Sequence, residues 1–182
     1  MDRPAARAGL RLQPGLCRRL VYIGAAHGLA AFDAAGCGSA SCAPRWQAVD
    51  KLDFYGGSPA VAEGRVYIGW ESELAVFDAA GCGKARCEPL WLLFGPGFQA
   101  AIESSPTVAN GVVYAGRNTG ELLAWKSDGC GQYQCGTIWS ATVREPIVNS
   151  SPTVVNGRVY IGSADNTAPE NMQGRLYVFE LP

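Results

Sequence analysis

Cysteine is the residue type in this chain whose number and spacing most invite chemistry. Six of the seven cysteines fall into three pairs, Cys37 with Cys42, Cys82 with Cys87 and Cys130 with Cys135, each opening on Cys-Gly with four residues between the sulfurs. In a hairpin loop that separation lets the Cβ atoms approach, and closing so small a ring stabilises a fold by roughly 2 kcal/mol. Disulfides are the expected state, and they persist only in an oxidising compartment. Reduced spectator thiols and zinc are the alternatives. Zinc needs four ligands at one point, whereas these pairs are far apart in sequence and the chain holds a single histidine. Cys17 is left over and is read as incidental. His27, in the loop Ala25-Ala26-His27-Gly28, has no triad partners and reads as a solvated loop residue. No catalytic residue and no metal site are assigned.

The pairs keep a period, and so do other landmarks. Val-Tyr-Ile-Gly recurs at Val21–Gly24, Val66–Gly69 and Val159–Gly162, with Val-Tyr-Ala-Gly at Val113–Gly116, at offsets of 45, 47 and 46 residues. It is preceded by GSPAVAEGR, SSPTVANGV and SSPTVVNGR from Gly57, Ser104 and Ser150. It is followed by an apolar run, the cysteine pair, and a tryptophan four residues after the second cysteine: Trp46, Trp91 and Trp139. Repeats of this length signal stacked supersecondary units.

Each unit predicts four short strands. Asn110-Gly111 between two β-prone runs is a type I′ hairpin signal, echoed by Asn156-Gly157 and Glu63-Gly64. A lone four-stranded sheet of this size leaves both apolar faces wet, whereas sheets stacked face to face around an axis cover them. The expected fold is all-β, a β-propeller of four-stranded antiparallel blades, about four of them, forming a partial or half ring. Residues 1–20 are expected to be an irregular N-terminal segment. The blades fall near 21–56, 57–103, 104–149 and 150–182, the last incomplete. The periodic Asp33 and Asp78 read as turn caps, and Trp46, Trp91 and Trp139 as blade-to-blade packing. Helical solenoids are disfavoured by short Val, Ile, Tyr and Phe runs broken by Gly and Pro.

Composition limits the partners. The net charge of -1 leaves no global basic field for nucleic acid. Arg3, Arg7, Arg11, Arg18 and Arg19 against Asp2 make the first 20 residues positive by +4, so the remainder is mildly acidic. No apolar run reaches the roughly 18–20 residues of a membrane helix. The N-terminus lacks the h-region of a secretory signal, so either export is absent or the true start lies upstream.

These residues resemble the pyrroloquinoline-quinone-like β-propeller repeats of quinoprotein dehydrogenases and of the outer-membrane assembly lipoprotein BamB. The resemblance rests on Ala31, Asp33, Gly36 and Trp46, on Val76, Asp78, Gly81 and Trp91, and on Ala124, Lys126, Gly129 and Trp139, where lysine replaces the usual aspartate. A cysteine loop between the glycine and the tryptophan departs from the family pattern. The resemblance implies a ring of about seven or eight blades. The chain is therefore expected to be a fragment of a longer propeller. The alternative is a homodimer in which two copies join into an eight-blade ring, covering open faces and strand edges.

Function is expected where the repeat is broken, at the end collecting the loops into the inner strands and after Val-Tyr-Ile-Gly. The candidate channel-mouth residues there are Arg117, Asn118, Arg144, Asn149, Asp165 and Glu170, with Glu103, Glu145, Asn166 and Asn171 nearby. The leading expectation is a non-enzymatic secreted, periplasmic or cell-surface scaffold for protein or peptide partners, without cofactor. Under the alternative of a quinone-dependent alcohol or sugar dehydrogenase, Arg117 and Arg144 would meet the quinone carboxylates, and Asp165 and Glu170 would give calcium part of its oxygen shell. The sequence lacks Cys-x-x-Cys-His and lacks adjacent cysteines, which lowers that reading. A sensor ectodomain is a further alternative.

Overall fold

The structure is a computed structural model that describes residues 20–25, 28–49, 57–97, 100–148, 150–164 and 174–181. Among them the first unit forms β1 (Leu20–Ala25), β2 (Gly28–Asp33) and β3 (Trp46–Ala48). The second forms β4 (Ala60–Ala62), β5 (Arg65–Trp70), β6 (Glu73–Asp78), the short β7 (Arg86–Cys87) and β8 (Trp91–Phe94). The third repeats this as β9 (Thr107–Ala109), β10 (Val112–Gly116), β11 (Glu121–Lys126), β12 (Gln134–Cys135) and β13 (Trp139–Thr142). The fourth holds β14 (Thr153–Val155), β15 (Arg158–Ala164) and β16 (Gly174–Glu180). No helix occurs among the described residues. The irregular segment expected over residues 1–20 lies outside them apart from Leu20, which opens β1.

Local chemistry explains the hairpins. Glu63, Asn110 and Asn156 have φ of 53°, 52° and 49°, and the glycines after them 74°, 76° and 74°. Two successive positive φ values define the type I′ turn that suits twisted strands. At the next corner, Asp33 and Asp78 Oδ1 accept bonds from the Ala35 and Ala80 amides at 3.0 and 2.7 Å, which fixes the chain as it leaves β2 and β6.

Each unit is an antiparallel meander, β4-β5-β6-β8 and β9-β10-β11-β13 in the second and third. The sequence reading stops at four strands per blade, with each cysteine loop kept in its own unit. The structure adds one further outer strand to each of the first two sheets, which makes the second five-stranded. β7, inside the second unit's cysteine loop, pairs parallel with β3 of the first, and β12 of the third pairs parallel with β8 of the second. Bonds from Gln47 N to Ala85 O, Val49 N to Cys87 O and Leu92 N to Tyr133 O extend these contacts. A cysteine loop is thus the outer edge of the preceding blade.

The cores lie between sheets. The first apolar cluster joins Leu29, Ala31 and Trp46 to Val66, Ile68 and Phe77; the second joins Tyr67, Leu74 and Val76 to Val113, Leu123 and Trp125; the third joins Tyr114 and Leu122 to Val159 and Ile161. Every sheet therefore buries apolar faces against its neighbour, the dominant favourable term at roughly 25 cal/mol per Å². The first strands of successive units converge, β4 and β14 both approaching β9. Polar bonds also cross between sheets: Tyr22 Oη donates to the Ala79 carbonyl and Tyr67 Oη to the Ser127 carbonyl, at 2.7 and 2.8 Å. Trp125 Nε1 donates to the Phe94 carbonyl at 2.6 Å. The result is a β-propeller arrangement of four sheets.

The tryptophans close each contact. Trp46 is 3% exposed, with its ring 6.2 Å from Tyr22 and 5.9 Å from Phe77 of the next sheet. Trp91 lies against Gly129 of the third unit, where an added Cβ would sit 3.1 Å from its Cε2, and carries Arg65 of its own sheet 5.2 Å from its centroid; Trp139 meets Phe179 edge-on at 5.6 Å. Gly81 has φ of +81° and lies so close to the indole that an added Cβ would sit 2.6 Å from Trp46 Cδ1. Gly36 occupies the same turn position at φ +75° with open space around it. Gly36→Ala is expected to cost only the left-handed backbone strain, about 1 kcal/mol, and Gly81→Ala about 2–3 kcal/mol because the ring must also move. Urea unfolding of the two variants checks the difference.

Candidate functional site

The β5–β6 and β10–β11 connections lie at one end of the sheets, together with the end of β15, the start of β16 and the described parts of the segments leading from β8 to β9 and from β13 to β14. Backbone bonds knit this end: Ile102 N to Glu71 O, Asn118 N to Ala101 O, Val143 N to Gly120 O and Ala164 N to Pro146 O. Ser104 and Ser150, the first residues of the two Ser-Ser-Pro motifs, accept bonds on Oγ from the Gly116 and Gly162 amides at 2.6 and 3.0 Å. The repeat motif thus fastens each incoming loop to the neighbouring strand.

Arg117 organises the gap between the second and third units. It is 1% exposed. Its Nη1 donates to the Pro96 carbonyl at 2.6 Å and lies 3.2 Å from Glu121 Oε2, while Nη2 donates to the Ser72 and Gly97 carbonyls at 3.0 and 3.2 Å. The guanidinium therefore ties three loops together. Asn118, beside it, donates from Nδ2 to Glu103 Oε1 at 3.1 Å. Between the third and fourth units Glu145 plays the matching part with opposite charge. Its carboxylate accepts from Ser163 Oγ at 2.9 Å and Tyr177 Oη at 2.8 Å, and faces Arg175 Nε at 3.2 Å. Burial works against its charge, but the Tyr177 and Ser163 bonds and the Arg175 cation outweigh it and hold this carboxyl below the usual range. Its bonds therefore stabilise the fold above the ordinary carboxylate pKa and weaken as pH falls.

Of the sequence candidates, Arg117 and Asn118 are drawn into these internal contacts. Arg144 is exposed, and its backbone amide lies 3.3 Å from Tyr177 Oη. Asn149, Asp165, Glu170, Asn166, Asn171 and His27 lie outside the described residues. Of the two cations expected to meet quinone carboxylates, Arg117 bonds carbonyls and Glu121 while Arg144 stands on the surface. No group of three or more His, Cys, Asp or Glu suited to a metal ion occurs among the described residues.

Glu73 is a member of this end that the sequence reading missed. Burial first, and the nearby Glu71 second, raise its carboxyl pKa to about 7, against a lowering pull from Arg117. A raised carboxyl pKa favours the folded state fully below the ordinary value of 4.5, and that contribution is lost as pH rises through about 7. Glu73→Gln is expected to leave stability at pH 5 nearly unchanged and to raise it at pH 8 by about 1 kcal/mol, a figure reduced for the solvent that reaches a half-exposed group. Urea midpoints of both proteins across that range check the sign.

The disulfides lie at the rim. Cys37–Cys42, Cys82–Cys87 and Cys130–Cys135 have S–S distances of 2.08, 2.11 and 2.06 Å. At the end of the sheets opposite Arg117, a groove of about 570 Å³ opens between the first two units. It is lined by Asp33, Arg45, Trp46, Gly81, Lys84 and Ala85, with Arg45 and Asp33 paired at 2.9 Å. In the next unit Tyr133 stands in the place of Ala85.

No family model matches the chain, and no curated protein matches it by sequence. Solved structures do share its fold. BamB from Moraxella catarrhalis is 14% identical, with a TM-score of 0.56 over 91% of this chain and 45% of that one. The computationally designed Ika8 protein is 16% identical, with a TM-score of 0.58 over 90% of this chain and 43% of that one. The computationally designed Ika4 protein is 15% identical, with a TM-score of 0.62 over 92% of this chain and 88% of that one. The chain spans under half the length of BamB and of Ika8. The sheets and these likenesses define a β-propeller protein. Three disulfides suit an oxidising extracellular or periplasmic setting, and no described helix is long and apolar enough to cross a membrane.

Proposed function

We propose that this chain is a propeller scaffold of the pyrroloquinoline-quinone-like repeat class, secreted, periplasmic or at the cell surface, that presents its loop-bearing end to protein or peptide partners without catalysing a reaction. The observation that carries the reading is the way that end is built. Buried Arg117 and the Glu145–Ser163–Tyr177–Arg175 cluster bind loop backbone and neighbouring strands, so the loops are held in place before any partner arrives. Preorganisation of this kind lowers the ordering cost of binding. The same side chains are thereby committed to architecture.

Titration of the purified chain with pyrroloquinoline quinone and calcium, followed by tryptophan fluorescence and by dye-linked oxidation of alcohols and sugars, tests the reading. No saturable quenching and no dye reduction are expected. Tight stoichiometric quinone binding with substrate-dependent dye reduction would replace the scaffold with a dehydrogenase.

A further inference from the structure

The two outermost sheet faces carry interface residues with nothing described against them. On the first unit Val21 and Ile23 are 47% and 49% exposed, with Ala30 and Phe32 opposite them in register. The same positions in the second unit are Val66, Ile68, Ala75 and Phe77, identical in type and no more than 1% exposed. On the fourth unit Leu176 and Val178 are 69% and 47% exposed beside Tyr160. Their counterparts in the second unit are Leu74, Val76 and Tyr67, again identical in type and fully buried. Both ends thus repeat, side chain for side chain, the two faces that the second unit buries within this chain.

The geometry points to a second copy of this chain as the occupant. We propose that the fourth unit of one copy packs on the first unit of the other, and that two such head-to-tail contacts close a ring of eight blades. The contact continues the stacking already seen three times in the chain, and eight lies within the range of single-ring propellers. The hydroxyl of Tyr160 then occupies the position from which Tyr22 and Tyr67 donate to Ala79 and Ser127, and its acceptor is the Ala34 carbonyl of the second copy. Apolar patches of this kind on a monomer mark association surfaces. The inference concerns assembly alone and holds whether or not the loop end binds a protein partner.

Sedimentation equilibrium of the 182-residue chain, across the micromolar range and with the disulfides intact, is the first test, and a closed dimer is expected. Ile23→Lys and Leu176→Lys place a charge on either face at positions exposed in the single copy, so circular dichroism should be unchanged. Each variant alone should weaken dimerisation about 100-fold or more, because an unpaired charge is buried at both contacts. Mixing the two should give a one-to-one dimer tighter than either variant forms alone but open on one side, since the fourth unit of Ile23→Lys and the first unit of Leu176→Lys make one intact contact while the two lysines meet at the other. A monomeric parent chain, an open polymer, or a mixture that stays monomeric would overturn the proposal.

Discussion

Replacing Arg117 with alanine is expected to cost about 3–5 kcal/mol of folding stability, the range for removing one member of a buried charged network. The residue is 1% exposed and donates to the carbonyls of Ser72, Pro96 and Gly97 as well as facing Glu121. Alanine leaves those three acceptors without their donor and opens a space beneath the loop from β8 to β9. Arg117→Lys keeps the charge but lacks the planar fork, so it is expected to recover less than half of the loss. Glu121→Gln, whose side chain is 27% exposed, is expected to cost about 1 kcal/mol or less. Urea unfolding measures all three, and hydrogen exchange at the Ile102 and Asn118 amides reports whether the loops loosen first. An Arg117→Ala protein within 1 kcal/mol of the parent would show that this guanidinium does not hold the three loops together.

Removing the disulfides should separate them into two classes. The three rings have the same sequence separation, 5 residues, so the loop-entropy contribution is the same for each, about 2 kcal/mol. The second and third loops do more. Their β7 and β12 strands pair with the preceding blade, and Cys87 and Cys135 are each 3% exposed beneath that contact. Cys42, in the first loop, is half-buried and has no strand paired with its loop among the described residues. Cys37→Ser with Cys42→Ser is therefore expected to cost about 2 kcal/mol. The corresponding double variants at Cys82 and Cys87, or Cys130 and Cys135, should cost about 3–4 kcal/mol, as the inter-blade hydrogen bonds fray as well. Equal losses from all three pairs, by urea unfolding in the absence of reductant, would mean that the loops act within their own hairpins.

The contrast between these loops shows what a periodic sequence discloses. Val-Tyr-Ile-Gly, the Asn-Gly turns and the spaced tryptophans mark strands and hairpins because each works through neighbours a few residues away. The parallel pairing of β7 with β3 does not announce itself: its partners are some forty residues apart, and a two-residue strand carries no alternation to read. Arg117 was legible as a break in the repeat and as a cation near the loop end. Its burial was not, because Trp70 and Ser163 hold the equivalent places in neighbouring units and share no chemistry with it. Glu73 was missed for a related reason, since its carboxyl is perturbed by burial and by Glu71, a property of the assembled gap between sheets.

Successive sheets stack face to face, each sealing the apolar surface of the one before. Nuclear Overhauser spectroscopy tests this most directly at two equivalent places, the Trp46 ring against the Gly81 α-protons and the Trp91 ring against those of Gly129. Cross-peaks are expected at both, with the glycine α-protons displaced by the indole ring current. Glycine resonances at their ordinary shifts, with no cross-peak to either indole, would contradict the stacking.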